Sequence, residues 1–237
     1  MYESKWNGLL LAAKDLKVKA ANPLLIKVSQ EYVEADIKVM IVGQETDGWA
    51  GQLNAGSQTV DDMMGYYYEY LYENSDPKRE DRPFWNRKNY RYFMENLQKH
   101  FKPQNKSVSC IWNNISKIGK NGRGMPQKSI ITMERAYFNV VKAEIEILKP
   151  DIIIFSTGDS RDDFIKHHFG PGVEFKSKLS LDDNTFEKET LNLLAEVALP
   201  DFEGIASIRI EHPNRRSLSN FISVSVLKSV FENKNDR

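Results

Sequence analysis

Apolar residues along this chain fall into two kinds of pattern that alternate with each other. Four short runs are apolar at nearly every position: "DIKVMIVG" (36–43), "SVSCIW" (107–112), "DIIIFST" (151–157) and "ASIRIEH" (206–212). Runs of this kind suit strands covered on both faces, and therefore a parallel sheet lying between helices. Between them the apolar residues recur every three or four positions. "TMERAYFNVVKAEIEILK" sets Met133, Ala136, Tyr137, Val140, Val141, Ile145 and Leu148 on one stripe and stops at Pro150, which predicts one helix. "RPFWNRKNYRYFMENLQKHF" spaces Phe84, Trp85, Tyr92, Phe93 and Leu97 similarly. "SLSNFISVSVLKSVFEN" opens on Ser217 as a cap and carries Leu218, Phe221, Ile222, Leu227 and Val230. Residues 1 to 30 hold one or two further helices. No repeat and no long low-complexity linker divides the chain. The expectation is a single α/β domain over residues 1–237, a three-layer α/β/α sandwich with a central four-stranded parallel sheet and an acidic insertion around 176–204.

Composition narrows this only a little. Lysine plus arginine equals aspartate plus glutamate, 33 against 33, so the formal net charge is zero. A protein built mainly to hold phosphate backbones usually carries more positive charge. The charge is uneven, however: residues 78–93 are basic and aromatic, and residues 181–204 are acidic. Nothing approaches the roughly 18 to 20 consecutive apolar residues of a membrane span. The first fifteen residues do not read as a signal peptide. Cys110 is the only cysteine, which excludes an internal disulfide and any four-cysteine metal or cluster site. A cytoplasmic monomer without cofactor or metal is expected.

In open parallel sheets ligands bind at the carboxyl ends of the strands, so the chemistry should sit just after each run. Those positions hold Gly43-Gln44-Glu45, Trp112-Asn113-Asn114, Thr157-Gly158-Asp159-Ser160 and His212-Pro213-Asn214. A carboxylate (Glu45), a carboxamide (Asn113) and an imidazole (His212) at one edge could activate water, read an amide-like ligand edge and stabilise a developing anion. An amide side chain both donates and accepts, so Asn113 could grip a planar base with two hydrogen bonds. The plainer alternative is that each caps a strand or the helix after it.

"VGQETDGW" followed much later by "EHPNRRS" resembles the two signature loops of the uracil-DNA glycosylase superfamily. "SVSCIWN" is similar to that family's apolar strand ending in a base-reading asparagine, and "LKPDIIIFSTG" to its third strand. The four match in order over residues 36 to 220. The resemblance implies a glycosylase-like fold and a DNA glycosylase that hydrolyses the N-glycosidic bond of uracil or another altered base flipped out of DNA. It implies that Glu45 positions water and offsets oxocarbenium charge, and that His212 donates to the departing base. Gln44 and Asn113 would bind the base, with Trp49 a candidate stacking ring. Asn214, Arg215, Arg216 and Ser217 would enter or hold the DNA. Lys117, Lys120 and Arg123 in the basic loop "KIGKNGRG" are candidates for further phosphate contacts. Departures are Thr46 in place of a frequent proline, Asp47 where the uracil-specific branch has tyrosine, and Arg216 in place of an apolar wedge. The altered loop after the first strand and the zero net charge favour, as the first alternative, a non-catalytic superfamily member that binds nucleic acid or a nucleobase.

A second constellation is "STGDSR" with "EHPN", which resembles the Ser and His motifs of SGNH-type esterases and would use Ser160 and His212. Its order in the chain is wrong, and Arg209 stands where that family has an aspartate. Asp159 and Ser160 are instead expected to cap the following helix. His167 and His168 are adjacent on a helix and point in different directions, against a metal role. "YYYEYLY" (66–72) reads as packing that could also form a wall or lid.

Overall fold

The continuous apolar run Val39-Met40-Ile41-Val42 makes a strand with no wet face, and each of its side chains is at most 1% exposed. It is the middle of β1 (Ile37–Glu45), next to which the rest of the sheet is ordered. The structure is a computed structural model that describes residues 1–73, 98–99, 102, 105–176 and 195–212. Among these residues the strands are β1, β2 (Val108–Ser116), β3 (Ile152–Phe155), β4 (Glu174–Lys176), β5 (Ala195–Ala198) and β6 (Ala206–Arg209). The helices are α1 (Glu3–Ala13), α2 (Gln30–Glu34), α3 (Val60–Tyr68), α4 (Lys128–Tyr137), α5 (Val141–Leu148) and α6 (Asp162–Phe169).

All six strands form one mixed sheet in the order β2-β1-β3-β6-β5-β4. The four strands expected from the sequence lie side by side and run parallel, with Gly43 opposite Asn114 and Val42 opposite Phe155. The expected count of four is corrected to six. β5 and β4 extend the sheet beyond β6 by antiparallel pairing and come from the two ends of the acidic stretch. Strands of three and four residues, with only Phe175 or Ala195 and Val197 turned inward, carry too little periodicity to stand out.

One face of the sheet is covered by α5 and α6. Val141 and Ile145 from α5, with Phe164, Ile165 and Phe169 from α6, pack on Met40, Val42, Ile111, Ile115, Ile153 and Phe155. Val39, Ile41, Ile152 and Ile154, which alternate with these along β1 and β3, are buried as well. A second core joins Trp6 and Leu9 of α1, Val60 and Met63 of α3, and Ile130 and Met133 of α4.

The single helix expected over 132–149 is two helices. It breaks at residues 138–140, so Phe138 and Val140 enter the second core while Val141 and Ile145 turn to the sheet. One straight helix could not serve both. Tyr137, expected on the buried stripe, is half exposed at the break. α5 ends where Lys149 takes a left-handed conformation (φ 45) just before Pro150. Among the described residues no helix is long and apolar enough to cross a membrane. The helical patterns read at 82–101 and 217–233 fall almost wholly outside the described residues.

Candidate functional site

Both strands that carry the first candidate residues run further than their apolar cores. β1 continues through Gln44 and Glu45, which places these two side chains at the carboxyl edge of the sheet. Gln44 Nε2 donates to the Thr157 carbonyl at 2.8 Å, tying the end of β1 to the end of β3. Glu45 is met by Arg161 from the short 3-10 turn Asp159–Arg161. Arg161 Nε donates to Oε2 at 3.1 Å, and Nη2 donates to Oε1 at 3.0 Å and to Oε2 at 2.8 Å. The guanidinium also donates from Nη1 to Ser160 Oγ at 3.3 Å and lies 5.6 Å from the Phe164 ring centre.

That turn is set by Gly158, whose φ of 66° belongs to glycine. Its N–H donates to the Ile210 carbonyl at 3.0 Å, joining β3 to the end of β6. A Cβ on Gly158 would stand 3.1 Å from Glu211 Oε1, so the loop passes close against that carboxylate. The same Oε1 accepts from the His212 N–H at 3.1 Å. The loops after β1, β3 and β6 are thus knitted into one edge carrying Gln44, Glu45, Arg161, Glu211 and His212. Burial lowers the pKa of the His212 imidazole, with Glu211 opposing in part. A ring held below its ordinary value is neutral near pH 7 and has one N–H to donate.

Asn113 is not at this edge. β2 does not stop at Trp112 but runs to Ser116, so Asn113 is an interior strand residue that is fully buried. Its Nδ2 donates to Glu144 Oε2 at 2.9 Å, and its Oδ1 accepts from Lys117 Nζ at 2.5 Å and from the Asn114 N–H at 2.8 Å. Glu144 also receives the Tyr2 hydroxyl and, at 2.8 Å, the Lys117 ammonium. This closed network uses the carboxamide completely, and the expected grouping of Asn113 with Glu45 and His212 is corrected. Lys117, a candidate phosphate contact, is wholly buried in it, with its pKa lowered by desolvation.

Asn114 faces the other way. Its Oδ1 is buried and has no hydrogen-bond partner among the described residues. It lies beside Gly43, where a Cβ would come within 2.3 Å of the Trp112 ring and 2.6 Å of Asn114 Oδ1. Gly43 is therefore needed for close packing between β1 and β2. The two adjacent asparagines looked equivalent in the sequence, and only the strand's length and phase separate them.

Trp49 sits edge-on between Tyr66 and Tyr70, with centroids 5.1 Å away on each side. It clamps the loop after β1 to α3 and the turn beyond it, which is the packing reading of "YYYEYLY". Thr46 Oγ1 accepts from the Gly119 N–H at 2.7 Å, so the loop after β2 is pinned beside the loop after β1. Lys120 is half-buried there, in a bridge opposite Ala20. Arg123 is exposed, 3.9 Å from Asp47. Asn214, Arg215, Arg216 and Ser217 lie outside the described residues.

Neither Asp159 nor Ser160 caps a helix, contrary to expectation. Ser160 instead accepts from Arg161. His168 is buried between the Ile115 carbonyl (2.7 Å from Nε2) and Asn139 (2.8 Å from Nδ1), and desolvation lowers its pKa to about 3. Both ring nitrogens thus face carbonyl-type oxygens, Ile115 O and Asn139 Oδ1, and the neutral ring donates its single N–H to one of them. A groove of about 460 Å³ lies elsewhere, lined by Tyr2, Ile26, Val28, Val60, Ile147 and Leu148 among others.

The chain matches no known family model, and it matches none of the curated proteins.

Proposed function

We infer that the protein is a uracil-DNA glycosylase-like α/β/α domain that recognises a nucleobase in nucleic acid at the carboxyl edge of its parallel strands, by binding rather than by hydrolysis. The observation that carries this reading is the joining of the loops after β1, β3 and β6 around Glu45, Arg161 and His212. Ligands of open parallel sheets bind at such edges. A carboxylate serving N-glycosidic hydrolysis must orient water and face positive charge growing on the sugar. Glu45 is bound at both oxygens by a guanidinium, which offsets its charge. The fully engaged Asn113 is not available to read a flipped pyrimidine, so recognition falls to the other residues of the edge.

A hydrolytic DNA glycosylase is the second reading, and one observation favours it. His212 is a partly buried, neutral imidazole and so suits donation to a departing base. A salt-dependent DNA titration run beside a base-release assay separates the two. Binding should weaken as salt rises, His212→Ala should weaken it further, and no base should be released from a panel of uracil-containing and damaged substrates. Release that falls by about 10² to 10³ in Glu45→Gln and His212→Ala would instead establish hydrolysis. Absence of DNA binding at low salt by the folded protein would overturn both.

A further inference from the structure

Glu45 has an internal partner whose shape is informative. Two N–H groups of one rigid plane meet its two oxygens, the fork geometry that a carboxylate accepts best. The pair is largely buried, with side chains 9% and 10% exposed. The carboxylate is the fixed half, since Glu45 ends a strand and stands in register with Ser116. Arg161 reaches over from a three-residue turn on a long stem, and it also makes a 3.3 Å bond to Ser160 and lies over the face of Phe164.

We propose that Arg161 is an internal competitor at Glu45, and that the base it gives way to carries the same fork. This rests on the reading of the edge as a nucleobase site. Among the common bases only guanine sets two donors side by side, N1–H and the exocyclic N2–H. Uracil and thymine place a single N–H between two carbonyl oxygens, which would face the carboxylate unfavourably. Adenine and cytosine set one amino donor beside a ring acceptor. The class of ligand is therefore a 2-amino-6-oxopurine.

The test is calorimetric titration of the intact protein with the 5′-monophosphates of guanosine, adenosine, cytidine and uridine, and with a short mixed-sequence single-stranded oligonucleotide. The wild type should prefer the guanosine nucleotide by about tenfold or more, the discrimination typical of one bidentate pair. Arg161→Gln should tighten that nucleotide by a similar factor and leave the uridine nucleotide unchanged, and Glu45→Gln should abolish the preference. If thermal melting finds Arg161→Gln unfolded, Arg161→Lys takes its place. It keeps the charge, loses the fork and should tighten guanosine binding to a smaller extent. Folded Arg161 variants that bind the guanosine nucleotide no better than wild type, or a preference for uridine, would overturn the proposal. Oligonucleotide binding without guanine preference would overturn it and leave the nucleobase-binding reading standing, whereas binding of no probe at all would overturn both.

Discussion

Two buried residues outside the edge make the protein respond to pH in opposite senses. Glu134 accepts from the Lys117 N–H at 2.6 Å, Ser116 Oγ at 2.8 Å and the Ile118 N–H at 3.3 Å. Burial still raises its pKa to about 7, against an ordinary value of 4.5. Between those values the folded protein keeps a proton that the unfolded chain releases. Its contribution to stability is complete below the ordinary value and is lost as pH rises through about 7. His168 is the reverse. Its folded pKa of about 3 lies below the ordinary 6.5, so its contribution is complete above 6.5 and is lost as pH falls toward 3. Urea unfolding at about pH 5 and about pH 7.5 should resolve the two, each on the order of 1 to 2 kcal/mol. Relative to wild type, His168→Gln should lose less stability on acidification and Glu134→Gln should lose more. Variants that track the wild type at both pH values would show that neither residue is the source. At this scale the sequence exposed Gln44, Glu45 and His212 because each follows an unmistakable apolar run. It concealed Arg161, a charged residue in a solvent-like string "GDSRDD" that folds back by more than a hundred positions to reach Glu45.

Edge strands need their free backbone groups satisfied, and β2 is at the edge of the sheet. Tyr67 of α3 does part of this. Its hydroxyl accepts from the Trp112 N–H at 3.2 Å and donates to the Trp112 carbonyl at 2.8 Å, and the whole side chain is buried. Tyr67→Phe keeps the ring and removes both bonds to the Trp112 backbone, and should cost roughly 1 to 3 kcal/mol in chemical denaturation. A change within experimental error would mean that water replaces the hydroxyl. α3 itself begins with a reciprocal cap, in which Thr59 Oγ1 accepts from the Asp62 N–H and Asp62 Oδ2 accepts from the Thr59 N–H. The elements explain why strands were more legible than their ends. Val39–Val42 and Ile152–Phe155 are apolar throughout and could be little else. The continuation of β2 through Asn113, Asn114 and Ser116 is polar, and only the buried partners Glu144, Lys117 and Glu134 make it a strand interior. The two helices at 128–148 share one unbroken period. Their separation follows from two cores pulling on adjacent residues, which no local pattern encodes.

For the molecule as a whole, four parallel strands gather three loops at one edge and leave a fully satisfied polar network elsewhere. The proposed recognition edge is Gln44, Glu45, Arg161 and His212, whereas Asn113, Lys117, Glu144 and Tyr2 form the buried structural network. The groove lined by Val28, Val60 and Ile147 is the competing surface, since its size falls within the range of small-molecule sites. Backbone amide shifts of the isotope-labelled protein, followed while a short single-stranded oligonucleotide is added, discriminate directly. The predicted result is saturable shifts centred on Gln44, Glu45, Gly158, Arg161 and His212, diminished in Glu45→Gln. Shifts confined to Ile26, Val28, Val60 and Ile147, or none at any concentration that keeps the protein soluble, would contradict it.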